Sequence, residues 1–108
     1  MATVLLVEDD ADQLQMRKLI FERNGHTVRE AQTATQALAL AAGSDVIVMD
    51  LRIPRREDGL RLLSAIGRSS RVIVLTGDAS GLDLPVDLQL QKPCSSRVLL
   101  DAVARLVQ

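Results

Sequence analysis

Val46-Ile47-Val48-Met49-Asp50 runs four apolar residues, three of them β-branched, into a single carboxylate. A continuous apolar run this short reads as a strand covered on both faces, the condition of a central strand in a parallel sheet. Two other stretches have the same form, Val4-Leu5-Leu6-Val7 before it and Val72-Ile73-Val74-Leu75 after it. Two further candidate strands differ. His26 to Ala31 is mostly polar, and Asp87-Leu88-Gln89-Leu90-Gln91 alternates strictly. Both suit the edges of a sheet, where one flank or face meets water.

Helical patterns fill the intervals. Asp12 to Asn24 carries Leu14, Leu19, Ile20 and Phe21 at helical spacing, with Gly25 placed to end the helix. Thr33 to Ala42 repeats Ala and Leu and stops at Gly43, and Gly59 to Arg68 brings Leu60, Leu63 and Ile66 to one side. Ser95 or Ser96 can cap a last helix whose stripe is Val98, Leu99, Ala102, Val103 and Leu106. Strand and helix in turn predict an α/β fold with right-handed crossovers. With the second and fifth strands at the edges, it is a doubly wound five-stranded parallel sheet of order 2-1-3-4-5. One interval is irregular: Thr76 to Pro85 holds two Gly and a Pro. At most a turn or so of helix is expected there, so the fourth helix of the alternation is short or absent.

Composition narrows the classes of function. The 108 residues, 47% of them hydrophobic, suffice for one core and not for two, so residues 1–108 are expected to form one domain. Thirteen basic against fourteen acidic side chains leave a net charge of −1, which argues against direct nucleic-acid binding. Phe21 is the one aromatic residue, so base-stacking platforms are missing. The longest apolar run, Ala37 to Ala42, is too short to span a membrane, and with no basic stretch leading into an apolar one after Met1-Ala2-Thr3 no signal peptide is expected. One cysteine, Cys94, permits no internal disulfide, and one His and one Cys make no zinc site. A reducing, cytoplasmic setting is expected.

The residues just past each central strand carry the chemistry. Glu8-Asp9-Asp10 comes after the first, Asp50 ends the third, Thr76-Gly77 comes after the fourth and Lys92-Pro93 after the fifth. Ligands of open α/β sheets bind at the carboxyl ends of the strands, so these scattered residues should converge. Crowded carboxylates repel unless a cation neutralises them, and an all-oxygen cluster favours a hard divalent ion such as Mg²⁺. Lys92 adds a fixed positive charge and Thr76 a hydroxyl. The set suits a phosphoryl group, with a carboxylate as nucleophile.

These motifs, together with Val48 to Pro54 and Asp58-Gly59-Leu60, resemble in kind and order the receiver domain of two-component response regulators (CheY-like), over essentially the whole chain. The resemblance implies a flavodoxin-like fold. It implies Asp50 as phosphoacceptor, Glu8 and Asp9 as the acidic pair that holds Mg²⁺ (Asp9 the more direct ligand), and the main-chain carbonyl of Arg52 as a further ligand beside Asp50. Thr76 resembles the switch hydroxyl and Lys92 the lysine that pairs with the phosphoryl group. The Lys92-Pro93 bond resembles one that is often cis in this family. A histidine kinase or phosphotransfer protein is the implied partner, and a monomer or weak dimer the implied state. The chain is expected to be no turnover enzyme, modifying and unmodifying only its own Asp50.

Three departures accompany the resemblance. Gln89 stands where the family usually has an aromatic residue, the segment from Thr76 to Lys92 is short, and the loop from Pro54 to Gly59 is one residue longer than the common pattern. They point away from the usual output surface, and they feed an alternative: a degenerate receiver acting as a phosphorylation-independent interaction module. An aspartyl-phosphate hydrolase would need a second Asp two residues beyond the nucleophile, where Arg52 stands. Bland readings compete residue by residue. The acidic triplet can merely cap a helix, Cys94 can be a small buried hydrophobe, and His26 can be surface filler. Asp78 and Arg52 can be ordinary loop residues or tune the phosphoryl lifetime. Arg52 is also expected to pair with Glu8 or Asp9 and so compete with the cation.

Overall fold

The three apolar runs become the three central strands. In the computed structural model, which describes residues 2 to 67, 70 to 77 and 84 to 107, they are β1 (Thr3–Val7), β3 (Val46–Asp50) and β4 (Arg71–Thr76). β2 (Thr27–Ala31) and β5 (Leu88–Gln91) take the edges, and every pairing in the order β2-β1-β3-β4-β5 is parallel. Four helices lie among the described residues: α1 (Ala11–Arg23), α2 (Ala34–Ala41), α3 (Arg56–Ile66) and α4 (Ser96–Leu106). The expected remnant of helix between β4 and β5 falls on residues 78 to 83, outside the described residues.

Side-chain alternation splits the core into two layers. Leu5, Val7, Ile47, Met49, Val72 and Val74 face α2 and α3 and meet Ala37, Ala41, Leu62, Leu63 and Ile66. Val4, Leu6, Val46, Val48, Ile73 and Leu75 face α1 and α4 and meet Leu14, Phe21, Leu99, Ala102 and Val103. Cys94 packs against this second layer, as a small hydrophobe would.

Three expected core residues lie outside. Leu19, Leu60 and Val98 are 49%, 39% and 48% exposed. Leu19 sits roughly 140° around the helix from Leu14 and cannot share its face. α3 begins at Arg56 rather than at Gly59, because the Asp58 carboxylate accepts the Arg55 N–H at 3.3 Å. Its buried stripe runs Gly59, Leu62, Leu63, Ile66, so Gly59 holds the inward position expected for Leu60. α4 buries Leu99, Ala102 and Val103, with Val98 turned to solvent.

The starts of the strands carry a recurring side-chain clip. Asp45 donates its N–H to Thr3 O at 2.8 Å, and its carboxylate accepts the Thr3 N–H at 2.8 Å. Asp87 repeats this on Val72, with N–H to O at 3.0 Å and the carboxylate accepting the Val72 N–H at 2.7 Å. His26 does the same work for β2: its Nδ1 accepts the Ala2 N–H at 3.2 Å, and Thr27 N–H reaches Ala2 O at 2.9 Å. His26 is therefore no surface filler, and its ring also stands edge-on to Phe21 at 5.6 Å.

The clips have measurable consequences for stability. Asp87→Ala leaves the half-buried Val72 N–H without its acceptor and is expected to cost about 1–2 kcal/mol. The measurement is the urea midpoint, at unchanged slope. Burial holds the His26 imidazole below its ordinary pKa. The unfolded chain then protonates first, so stability that is full above about pH 6.5 declines as pH falls through the folded value. His26→Gln should remove that part of the acid-side loss, read as melting temperature against pH.

Candidate phosphoryl-accepting site

Each central strand delivers one polar group to the same rim. β1 ends at Val7, and Glu8 continues the pairing through its N–H to Ala31 O at 3.0 Å, which turns its carboxylate inward to 5% exposure. The acidic triplet then divides. Asp9 stays exposed, and Asp10 caps α1 by accepting the N–H groups of Asp12 at 2.9 Å and Gln13 at 3.2 Å. The capping reading thus holds for Asp10, while Glu8 turns inward toward Asp50. Asp50 ends β3 at 2% exposure, beside Leu75 in the register. Thr76 ends β4, buried, and its carbonyl accepts the Lys92 N–H at 2.8 Å, which fixes where Lys92 leaves the sheet. The Lys92–Pro93 peptide is cis, as the resemblance implied, and so is Ile53–Pro54.

Lys92 Nζ lies 2.6 Å from Asp50 Oδ1. The contact is short and charge-assisted, whereas Glu8 Oε2 is buried with no hydrogen-bond partner. Burial pushes the Asp50 carboxyl above its ordinary pKa, and Lys92 opposes that shift without cancelling it. A cleft of about 50 Å³ opens over the pair, lined by Asp50, Leu51, Arg52, Arg56, Leu75, Thr76, Gly77 and Lys92. It combines one buried carboxylate with three cationic side chains, a surrounding that attracts an anion to a nucleophile. A larger hollow of about 620 Å³ lies at the opposite rim, and its carboxylates Asp45 and Asp87 are already committed to the backbone of β1 and β4.

The structure brings together Glu8, Asp50, Thr76, Lys92 and Arg52, and leaves Asp9 at the surface. Among the described residues no three His, Cys, Asp or Glu side chains converge as a metal site. The expected pairing of Arg52 with the acidic residues is replaced by another. The guanidinium beside Glu8 belongs to Arg17 of α1, 3.7 Å from Glu8 Oε2 and 3.6 Å from Asp50 Oδ2. Burial lowers the Arg17 pKa, a shift that Cys94 partly offsets. Sequence reasoning missed Arg17 and Arg56. A signal for Arg17 was present: it falls three positions after Leu14 and four before Phe21, on the stripe that faces the sheet.

Comparison with known proteins decides the family. The model of the response regulator receiver domain matches residues 4–104. The chain belongs to the receiver domain family. Transcriptional regulatory protein CpxR of Escherichia coli (strain K12) is 31% identical over 117 residues, covering 100% of this chain and 50% of CpxR. This receiver domain thus spans half the length of the curated relatives it matches. The receiver domain of the Francisella response regulator 1452 superposes with a TM-score of 0.85 at 31% identity, covering 98% of this chain and 96% of that one. A CheY-like receiver from Methanospirillum hungatei JF-1 gives 0.85 at 28% identity, over 99% and 94% of the two chains. The sheet order agrees with the flavodoxin-like receiver fold. No helix among the described residues is long and apolar enough to cross a membrane.

Proposed function

We propose that Asp50 accepts a phosphoryl group from a phosphohistidine of a histidine kinase or phosphotransfer protein, and that the modified domain changes its interaction surface. The observation that carries the reading is the buried Asp50 facing Lys92 at 2.6 Å under a cleft lined by Thr76, Arg52 and Arg56. A carboxylate buried this deeply beside cations is poorly explained by packing alone. In the reaction an Asp50 oxygen forms a bond to phosphorus as the bond from phosphorus to the donor nitrogen breaks, and the electron pair leaves with the imidazole. Lys92, Arg52 and Arg56 hold the transferred oxygens, and Thr76 supplies a hydroxyl at the cleft wall.

Glu8 Oε2, buried without a hydrogen-bond partner, and the neighbouring Asp50 carboxylate are oxygen donors of the type a hard divalent cation takes. Mg²⁺ would be held by Glu8, Asp9, Asp50 and the Arg52 carbonyl. When bound, it neutralises charge developing on the phosphoryl oxygens. Gln89 sits half-buried in β5 opposite Val74, with no ring to report a movement of Thr76. The response therefore runs through the loops that touch the cleft rather than through β5. Incubation with acetyl phosphate and Mg²⁺, read by intact mass, tests the reading: one added phosphoryl group supports it, and an unmodified protein overturns it.

A further inference from the structure

We infer that Arg17 is a built-in counter-ion standing in the cation's place, so that the divalent ion must displace its guanidinium and binds more weakly than the carboxylates alone would allow. The inference rests on the phosphoacceptor reading above. Glu8 and Asp50 approach one point from the ends of neighbouring strands, where Val7 and Met49 are register partners. Their side chains are 6% and 3% exposed, so their repulsion is little screened by water. Lys92 meets Asp50 at Oδ1, 2.6 Å away, and leaves the Oδ2 side to another charge. Arg17 NH1 takes that side, nearly equidistant from the two carboxylates at 3.7 and 3.6 Å.

The form of the contact separates a replaceable guest from a structural bridge. A guanidinium built into a permanent ion pair presents its fork to a carboxylate in two short parallel hydrogen bonds. Here a single nitrogen stands beyond hydrogen-bond length from both partners, and Glu8 Oε2 accepts no hydrogen bond at all. Arg17 supplies charge to the pair without filling its acceptor positions. A small cation with coordinating water can do both. Its side chain is still 17% exposed, so a path to solvent exists for the guanidinium to leave by.

Two occupants of one place are linked reciprocally: whatever Arg17 contributes to the cation-free domain is subtracted from the affinity for the cation. The test titrates Mg²⁺ into the wild type, Arg17→Met and Arg17→Lys, by calorimetry and by melting temperature. Arg17→Met should bind Mg²⁺ roughly tenfold more tightly, within the usual range of such couplings. It should melt lower than wild type without the ion and recover at saturation. Arg17→Lys, which keeps the charge, should stay near wild type in both readings. If Arg17→Met is unfolded without cation, Mg²⁺ should restore its fold, and failure to do so overturns the inference. Mg²⁺ bound by all three proteins with equal affinity, or more weakly by Arg17→Met, also overturns it while leaving the phosphoacceptor reading standing. No Mg²⁺ uptake by any of the three overturns both.

Discussion

Asp50→Asn is expected to take up no phosphoryl group from acetyl phosphate and Mg²⁺ and, without the ion, to melt higher than the wild type. The first half follows from the chemistry: the amide is nearly isosteric, yet its nitrogen and carbonyl oxygen are poor nucleophiles beside a carboxylate. The second half follows from the sign of the pKa shift. Burial raises the Asp50 carboxyl and outweighs Lys92, so the folded state prefers the neutral group. A raised carboxylate contributes stability only at low pH, and loses it as pH rises from about 3.9 through the folded value. At neutral pH the charge therefore works against folding, and removing it should raise the melting temperature. Intact mass and thermal melting read the two halves on one sample. A phosphorylated variant would move the acceptor elsewhere, and a lower melting temperature would show that Lys92 and Arg17 stabilise the charge more than burial penalises it.

Gly59→Ala is expected to destabilise the fold severely. A Cβ at Gly59 would lie 1.8 Å from the Leu51 carbonyl oxygen, 2.7 Å from its carbon and 3.1 Å from Leu51 Cα. All three are backbone atoms of the residue just past Asp50, so no rotamer change makes room. The clash has to be relieved by lifting α3 off the sheet, which also parts Leu62, Leu63 and Ile66 from their layer. A cost of at least about 3 kcal/mol is expected, a large share of the total stability of an ordinary domain. Circular dichroism through a thermal melt measures it. Leu60→Ala, one residue on and 39% exposed, serves as the control and should shift the melt little. A Gly59→Ala protein that melts within a degree or two of wild type would mean that α3 can slide.

The sheet was legible because three strands are continuous apolar runs and the edges are not. The site was legible because Glu8, Asp50, Thr76 and Lys92 each stand just at or past a strand end, where the fold itself gathers them. The features that escaped notice were charge or polarity that looks ordinary in one dimension. Arg17 reads as the solvated side of an amphipathic helix until Leu14 and Phe21 are seen to flank it on the buried side. The loop arginine chosen as competitor, Arg52, lines the cleft instead. Leu19, Leu60 and Val98 were misplaced because an apolar side chain at an approximate helical interval does not reveal which edge of the stripe it occupies. The clips of His26, Asp45 and Asp87 carry no periodic signal, since each joins a side chain to the backbone of a strand distant in sequence.

Those clips divide the labour between the two rims of the sheet. Register is pinned where β2, β3 and β5 enter, and every group assigned to phosphoryl chemistry sits where strands leave. Parallel strands fastened at the entry rim do not depend on the loops of the exit rim for their alignment. Those loops can be shortened, lengthened or rewritten while the strands keep their pairing, and the Asp50 rim can rearrange around a new charge without the disturbance travelling down the ladder. In this architecture a signalling surface is a replaceable edge on a fixed chassis.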